Sequence, residues 1–278
     1  MSDKNIKDKR IPKIGLALGS GSTRGYAHIG VIRVLERNKI PIDFIAGSSV
    51  GAMIGSVYAF YKDSQKLEKI ILSPSWRQVI SFIDPSLKGG LVDGNKIRKF
   101  INDSIKKSTF NKLKIPFKVV ATDFQTAEPV EISKGNVASA VQASISVPLF
   151  FKPVLLQDMM LWDGGLSESV PVETVRKMGA DIVIAVNLDN KSRFNNERDI
   201  GNNPYLIALK TIKYFQYHLA KNCVKSADIV INPLIKDSSL LGWRKVLKGE
   251  GETGILEGKK ATKLVLPTIK KIIENETY

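Results

Sequence analysis

Three short segments carry residue types that could do chemistry. Gly47-Ser48-Ser49-Val50-Gly51 fits the G-x-S-x-G elbow, with an apolar strand-like run (DFIAG) before it and a helix-like run (GAMIGSVYAFY) after it. The pattern has a steric cause: the turn is so tight that its flanks must be small, which Gly47 and Gly51 satisfy. The central Ser49 is then held with its hydroxyl outward at a helix N-terminus, where the helix dipole favours developing negative charge. Gly19-Ser20-Gly21-Ser22-Thr23-Arg24-Gly25 lies between a strand and a helix, where backbone N–H groups can converge on an anion. Two uses are open for such a loop, stabilising an acyl-transfer oxyanion or holding a pyrophosphate. The strict dinucleotide spacing fails because Arg24 occupies its last position, although a looser spacing survives at Gly19, Gly21 and Gly25. In Trp162-Asp163-Gly164-Gly165 an aspartate closes an apolar run, and the two glycines permit close approach to other backbone. Taken alone, it is an ordinary Asp-Gly turn.

The two histidines do not complete a triad convincingly. His218 has the right order after Ser49 and Asp163 but lies mid-helix in KYFQYHLAK, and His28 follows the glycine loop, where packing or capping suffices. Tyr217 and Lys221 have the Tyr-x-x-x-Lys spacing of short-chain dehydrogenases. That reading puts the required serine near Pro204 and leaves the elbow and Asp163-Gly164-Gly165 unused.

The elements that must position these residues alternate. KIGLAL, DFIAG, FKVVATD and DIVIAVNL read as short buried strands, with helical runs at YAHIGVIRVLERN, NVASAVQAS, VETVRKMG and YLIALKTIKYFQYHLAKNCVKS. PVEIS is placed as a hairpin partner of FKVVATD, and LLQDMMLWDGG as a hairpin ending in the glycine turn. This order predicts an α/β fold, a three-layer α/β/α sandwich around a mostly parallel sheet. Residues 1–12 read as a flexible basic arm and 13–278 as one domain. At 43% hydrophobic and 25% charged, the chain can bury a large core and stay soluble. It has no apolar stretch of the length that crosses a membrane and no secretory signal at the N-terminus, so a cytoplasmic location is expected. One cysteine, Cys223, excludes an intrachain disulfide and a cysteine metal cluster. The net charge of +15 favours anionic partners, but it is spread along the chain without an arginine-rich or aromatic-interleaved block, and no nucleic acid is expected.

In combination and order, the three segments resemble the patatin-like phospholipases. The likeness runs through GLALGSGSTRGYAHIGVIRVLERNKIPIDFIAGSSVGAMIGSVYA, where the glycine loop and its trailing arginine precede the elbow by about two dozen residues, and through VVATDFQTAEPVEISKGNVASAVQASISVPLFFKPV and DGGLSESVPVETVRKMGADIVIAVNL. It is weaker over 226–275 and poor over 62–115. The resemblance implies a hydrolase of lipid carboxylic esters, phospholipase A or lysophospholipase in type, that needs no cofactor and no metal. It implies a Ser–Asp dyad without histidine: Ser49 as nucleophile and Asp163 as base, with Gly21 and Ser22 supplying oxyanion N–H groups and Arg24 bracing their loop. Gly19, Gly25, Gly47, Gly51, Gly164 and Gly165 are implied as supports of the loop and elbow. The family's loop is nearly all glycine, so Ser20 and Ser22 are departures that bear on activity. A soluble small-ester esterase and an inactive lipid-binding protein are the alternatives. LIALKTIKYFQYHLAKN and KKATKLVLPTIKKIIEN, amphipathic and basic, could touch an anionic phospholipid membrane at its inner face, although Pro267 argues against one long helix in the second. Segment 62–115 is the candidate cap over an acyl pocket.

Overall fold

In a computed structural model, residues 11–75, 93–191, 202–235 and 250–277 are described. Most of the basic arm, and the part of the candidate cap that carries Trp76, Ile80, Phe82 and Ile83, lie outside them.

Among the described residues, eight strands form one mixed sheet: β1 (Ile14–Leu18), β2 (Phe44–Ser48), β3 (Phe117–Asp123), β4 (Pro129–Ile132), β5 (Val154–Leu156), β6 (Met159–Asp163), β7 (Ile182–Val186) and β8 (Ile229–Ile231). Their order is β5-β6-β3-β2-β1-β7-β8, with β4 also paired to β3. The β3–β2–β1–β7–β8 stretch is parallel, while β4 and β6 run antiparallel to β3 and β5 antiparallel to β6. The helices are α1 (Tyr26–Arg37), α2 (Val50–Tyr61), α3 (Ser64–Ile71), α4 (Asn95–Ser104), α5 (Val137–Ser144), α6 (Val172–Lys177), α7 (Pro204–Cys223) and α8 (Glu250–Asn275).

The strand sequences divide their residues between two faces of different depth. Ile14, Leu16 and Leu18 of β1, with Ile182, Ile184 and Val186 of β7, point into the large core beneath α1, α2, α5 and α8. Ala17, Ala46, Val183 and Ala185 point the other way, against Val172 and Val175 of α6. Large residues on one face and small ones on the other let the short α6 sit close to the sheet: a side chain at Gly15 would meet Val175 Cγ1 at 2.0 Å. Alternation is invisible as polarity because both faces are apolar and buried, as parallel sheets require.

Two helices from the candidate cap region are described, and both anchor in the core through Leu67 and Ile71 of α3 and Ile97, Phe100 and Ile101 of α4. The expectation that Pro267 argues against one long helix in the C-terminal basic stretch is corrected. α8 runs unbroken from Glu250 to Asn275 with Pro267 inside it. Pro267 is exposed, so water can satisfy the carbonyl its missing N–H leaves behind. The buried positions Gly251, Gly254, Ile255, Gly258, Thr262 and Ile269 recur at helical spacing and face the body of the protein. Its glycines let α8 cross α1 at backbone contact: a Cβ on Gly258 would lie 2.1 Å from Ala27 O, and one on Gly30 of α1 would lie 2.1 Å from Ile255 O. No described helix is long and apolar enough to cross a membrane.

Candidate active site

β3 is the spacer of the site. Its register puts Val120 opposite Ser48 on β2 and Ala121 opposite Asp163 on β6. The residue that follows β2 and the last residue of β6 therefore stand at one level of the sheet, separated by one strand, and their side chains close the gap. Ser49 Oγ donates a hydrogen bond of 2.6 Å to Asp163 Oδ2.

Ser49 takes φ 54°, ψ −123°, between β2 and α2. A side chain rarely adopts that conformation, which costs of order 1–3 kcal/mol and must be held by its surroundings. Three contacts hold it. A Cβ on Gly51 would sit 2.0 Å from Leu18 O, and one on Gly47 would sit 2.5 Å from Ala52 Cα, so the turn closes only with glycine on both sides. Ser49 N donates to Ser144 Oγ at 2.8 Å, and Ser144 Oγ in turn donates to Val120 O at 2.6 Å. Ser144 thus ties the elbow to the spacer strand, a role with no signature in the sequence.

Asp163 is fully buried. Its Oδ1 accepts from Gly165 N at 2.7 Å, its own N donates to Ser146 O at 3.1 Å, and its carbonyl accepts from Thr122 Oγ1 at 2.8 Å. Gly164 must be glycine because a Cβ there would lie 2.1 Å from Val120 O. Burial pushes the Asp163 carboxyl up to about 7; the hydrogen bonds from Ser49 and Gly165 N oppose the rise, and the charge of Asp189 adds to it. A carboxylate titrating near 7 is a far better proton acceptor at neutral pH than an ordinary aspartate.

The glycine loop lies beside this pair. Gly19 N donates to Val186 O at 3.1 Å, and Ser20 N donates to Ser169 O at 2.8 Å. Gly21 (φ 157°) passes so close to Leu188 that a Cβ would meet it at 2.7 Å, and Ser22 adopts φ 53° at the start of a 3-10 turn, Ser22–Gly25. Among the described residues no hydrogen bond engages the amides of Gly21 or Ser22. They are the first N–H groups of a helical turn, which a bound oxyanion could satisfy. Gly25 packs under Val50, the first residue of α2, where a Cβ would be 2.1 Å from Val50 Cγ2. The loop and the elbow therefore meet directly.

The sequence departures prove to be built in. Ser20 Oγ donates to Asp189 Oδ2 at 2.5 Å, and Ser22 takes the left-handed backbone a glycine would take. Arg24 is buried, donating to Asp189 Oδ1 at 2.7 Å, to Gly21 O at 3.2 Å and to Leu188 O. Asp189, just past β7, has no motif around it in the sequence that marks this role. His28 is buried, with Nε2 2.8 Å from Gly19 O; burial lowers it to about 4, so it is neutral and donates that bond. His218 lies exposed on α7, its ring against Tyr217.

The patatin-like phospholipase family matches residues 16–176, more than half of the chain. An uncharacterized NTE family protein of Mycobacterium tuberculosis (strain ATCC 25618 / H37Rv) is 34% identical over 188 residues, covering 66% of this chain and 51% of that protein. The lysophospholipase nte1 of Aspergillus fumigatus is 31% identical over 182 residues, 63% of this chain and 12% of that protein. The chain thus spans about half the length of the first relative and a smaller share of the second. The crystal structure of VipD from Legionella pneumophila is similar over 93% of this chain and 67% of its own, with a TM-score of 0.52 at 13% identity, a likeness of fold alone.

Proposed function

Because the chain belongs to the patatin-like phospholipase family, we propose that it is a serine acyl-hydrolase that cleaves carboxylic esters of lipids through a Ser49–Asp163 dyad. The observation that carries the reading is the 2.6 Å bond from a strained, buried Ser49 to a carboxylate that burial has made basic. Asp163 takes the hydroxyl proton as Ser49 Oγ bonds to the ester carbonyl carbon. Negative charge moves to the carbonyl oxygen, which the amides of Gly21 and Ser22 receive. Collapse breaks the bond to the leaving alkoxide, and Asp163 returns the proton to it. Asp163 then deprotonates water, which attacks the acyl carbon, and the released Ser49 oxygen takes the proton back. The histidine common in serine hydrolases has no place here: His28 is committed to Gly19, and His218 is on the surface.

The anchored loop favours an active enzyme over an inactive lipid-binding protein, since Ser20 and Ser22 are accommodated rather than obstructive. Lysophospholipase is the nearer type, in keeping with the fungal relative's name. Contact with an anionic membrane belongs to the same reading. α7 exposes Ile207, Tyr214 and Phe215 and carries Lys210, Lys213 and Lys221 with no acidic residue, while a Cβ on Gly165 would meet Gln216 Nε2 at 3.1 Å, so the helix borders the site.

The test is hydrolysis of medium- and long-chain p-nitrophenyl esters and of lysophospholipid by wild type, Ser49→Ala and Asp163→Asn, with a fluorophosphonate label mapped by mass spectrometry. Turnover by wild type alone, with the label on Ser49, is expected. An inert, folded, unlabelled wild type would reject the reading, and hydrolysis of short esters only would assign the protein as a small-ester esterase.

A further inference from the structure

We propose that Asp189 is the positioning residue of the oxyanion loop, holding its start through Ser20 and its end through Arg24. The inference rests on the reading above, in which the amides between those residues receive the oxyanion. Asp189 is 1% exposed and Arg24 3% exposed, so their contact is shielded from water. Oδ1 takes the guanidinium Nη2 at 2.7 Å, while Oδ2 takes Ser20 Oγ at 2.5 Å and lies 3.1 Å from Ser169 Oγ. Each hydroxyl has one proton. With Ser20 donating to the carboxylate, Ser169 donates to Ser20 Oγ at 2.7 Å, and the chain of bonds runs Ser169 to Ser20 to Asp189. Arg24 also donates to Gly21 O and Leu188 O, so one carboxylate fixes a guanidinium that itself grips the loop from inside. Asp189 N donates to Asn187 Oδ1 at 3.0 Å, which seats the carboxylate on the end of β7.

Gly21 and Ser22 lie between the two clamped residues. Their amides are useful only if they point at one place, because preorganised donors stabilise an oxyanion without reorganisation during reaction. Gly21 has no side chain to lock it and Ser22 is held in an uncommon conformation, so the order of the pair comes from its neighbours. Ser20, the departure from an all-glycine loop, provides the hydroxyl by which the loop is fastened.

The clamp also reaches the base. The charge of Asp189 favours the protonated form of Asp163. Among the described residues, the other ionisable groups around the clamp include Arg24, paired with Asp189; His28, buried and neutral; Glu168, engaged by Thr174 N and Oγ1; and the Cys223 thiol, which burial pushes up. Removing the Asp189 charge takes away a repulsion and leaves Arg24 positive, and both changes ease the ionisation of Asp163. That shift reports the charge of Asp189, while a loss in kcat without a matching change in KM reports the positioning of the loop.

Asp189→Asn and Ser20→Ala test the proposal. The measurements are kcat and KM on a long-chain p-nitrophenyl ester from pH 5.5 to 9, with active sites counted by fluorophosphonate titration and folding followed by thermal unfolding. Asn cannot accept from Arg24 and from Ser20 at once, so Asp189→Asn should lose about 10- to 100-fold in kcat per active site with KM changed by less than about threefold. Its acid limb should move to lower pH. Ser20→Ala keeps the buried ion pair and should lose about two- to tenfold in kcat, with its melting temperature near that of wild type. Wild-type kcat per active site in both folded variants would overturn the inference, wherever the acid limb lies. If Asp189→Asn does not fold, wild-type kcat in Ser20→Ala overturns it alone. Full activity in Ser49→Ala is a separate failure, which would remove the dyad reading whatever Asp189 does.

Discussion

Asp163→Asn offers a prediction in which stability and activity move in opposite directions. In the folded protein the carboxyl titrates at about 7, chiefly because it is buried, against an ordinary value of 3.8. Below 3.8 it is protonated in both folded and unfolded chains, and the burial costs nothing extra. As pH rises through the interval, the unfolded chain releases the proton while the folded protein keeps it, and the unfolded state gains. Above 7 the folded carboxyl also ionises, and the loss reaches its full size of about 4 kcal/mol. Asparagine never ionises and escapes that loss. It accepts through one oxygen only, so it cannot receive both Ser49 Oγ and Gly165 N as Asp163 does, which costs about 1 kcal/mol. The variant should be more stable than wild type by about 3 kcal/mol at pH 8, or about 5–10 °C in melting temperature, and no more stable near pH 4. Unfolding both proteins at intervals from pH 4.5 to 8.5 measures the difference, in which every other titrating group cancels. A difference that does not grow between pH 4.5 and 7.5, or a variant less stable at pH 8, would refute the assignment of a buried, proton-retaining Asp163. At the same pH the variant should show no measurable turnover.

Other consequences follow from the same geometry. For wild type, kcat/KM should rise with pH through a midpoint near 7 as Asp163 ionises, a profile readable on any chromogenic ester. Ser49→Gly should be more stable than Ser49→Ala by about 1 kcal/mol in urea unfolding, because glycine relieves φ 54°, while both lack activity. Gly164→Ala should lose several kcal/mol of stability or fail to accumulate as soluble protein, its Cβ being forced to within 2.1 Å of Val120 O. Gly258→Val should separate α8 from α1, lowering the melting temperature and disturbing the loop that leads into α1.

What the sequence made legible was local or periodic. IGLAL and IVIAV read as strands because a sheet covered on both faces turns every position apolar, and all five residues of each are buried. The elbow read correctly as a turn because its steric demand falls on adjacent residues. The pairing of Ser49 with Asp163 was implied only by resemblance, since the register across β3 that joins them is a property of the sheet. Asp189 was not legible at all: it meets Arg24 from 165 positions away, and an aspartate in NLDN reads as part of a polar loop. Pro267 misled because the roughly 3 kcal/mol that one proline costs a helix can be outweighed by tertiary packing, and α8 is packed against α1 at backbone contact.

The glycine crossing of α1 and α8 has a consequence for biosynthesis. Gly30 and Gly258 are separated by more than 200 residues, and their helices touch backbone to backbone. At about 5–20 residues per second, α1 leaves the ribosome some 10–40 s before the helix that covers it. Throughout that interval the loop and elbow, already synthesised, are attached to a helix with one side bare, and long-range closure of this kind is slow. On the proposed reading, a nascent chain that already carries Ser49 and Asp163 becomes competent in hydrolysis only once α8 has covered α1.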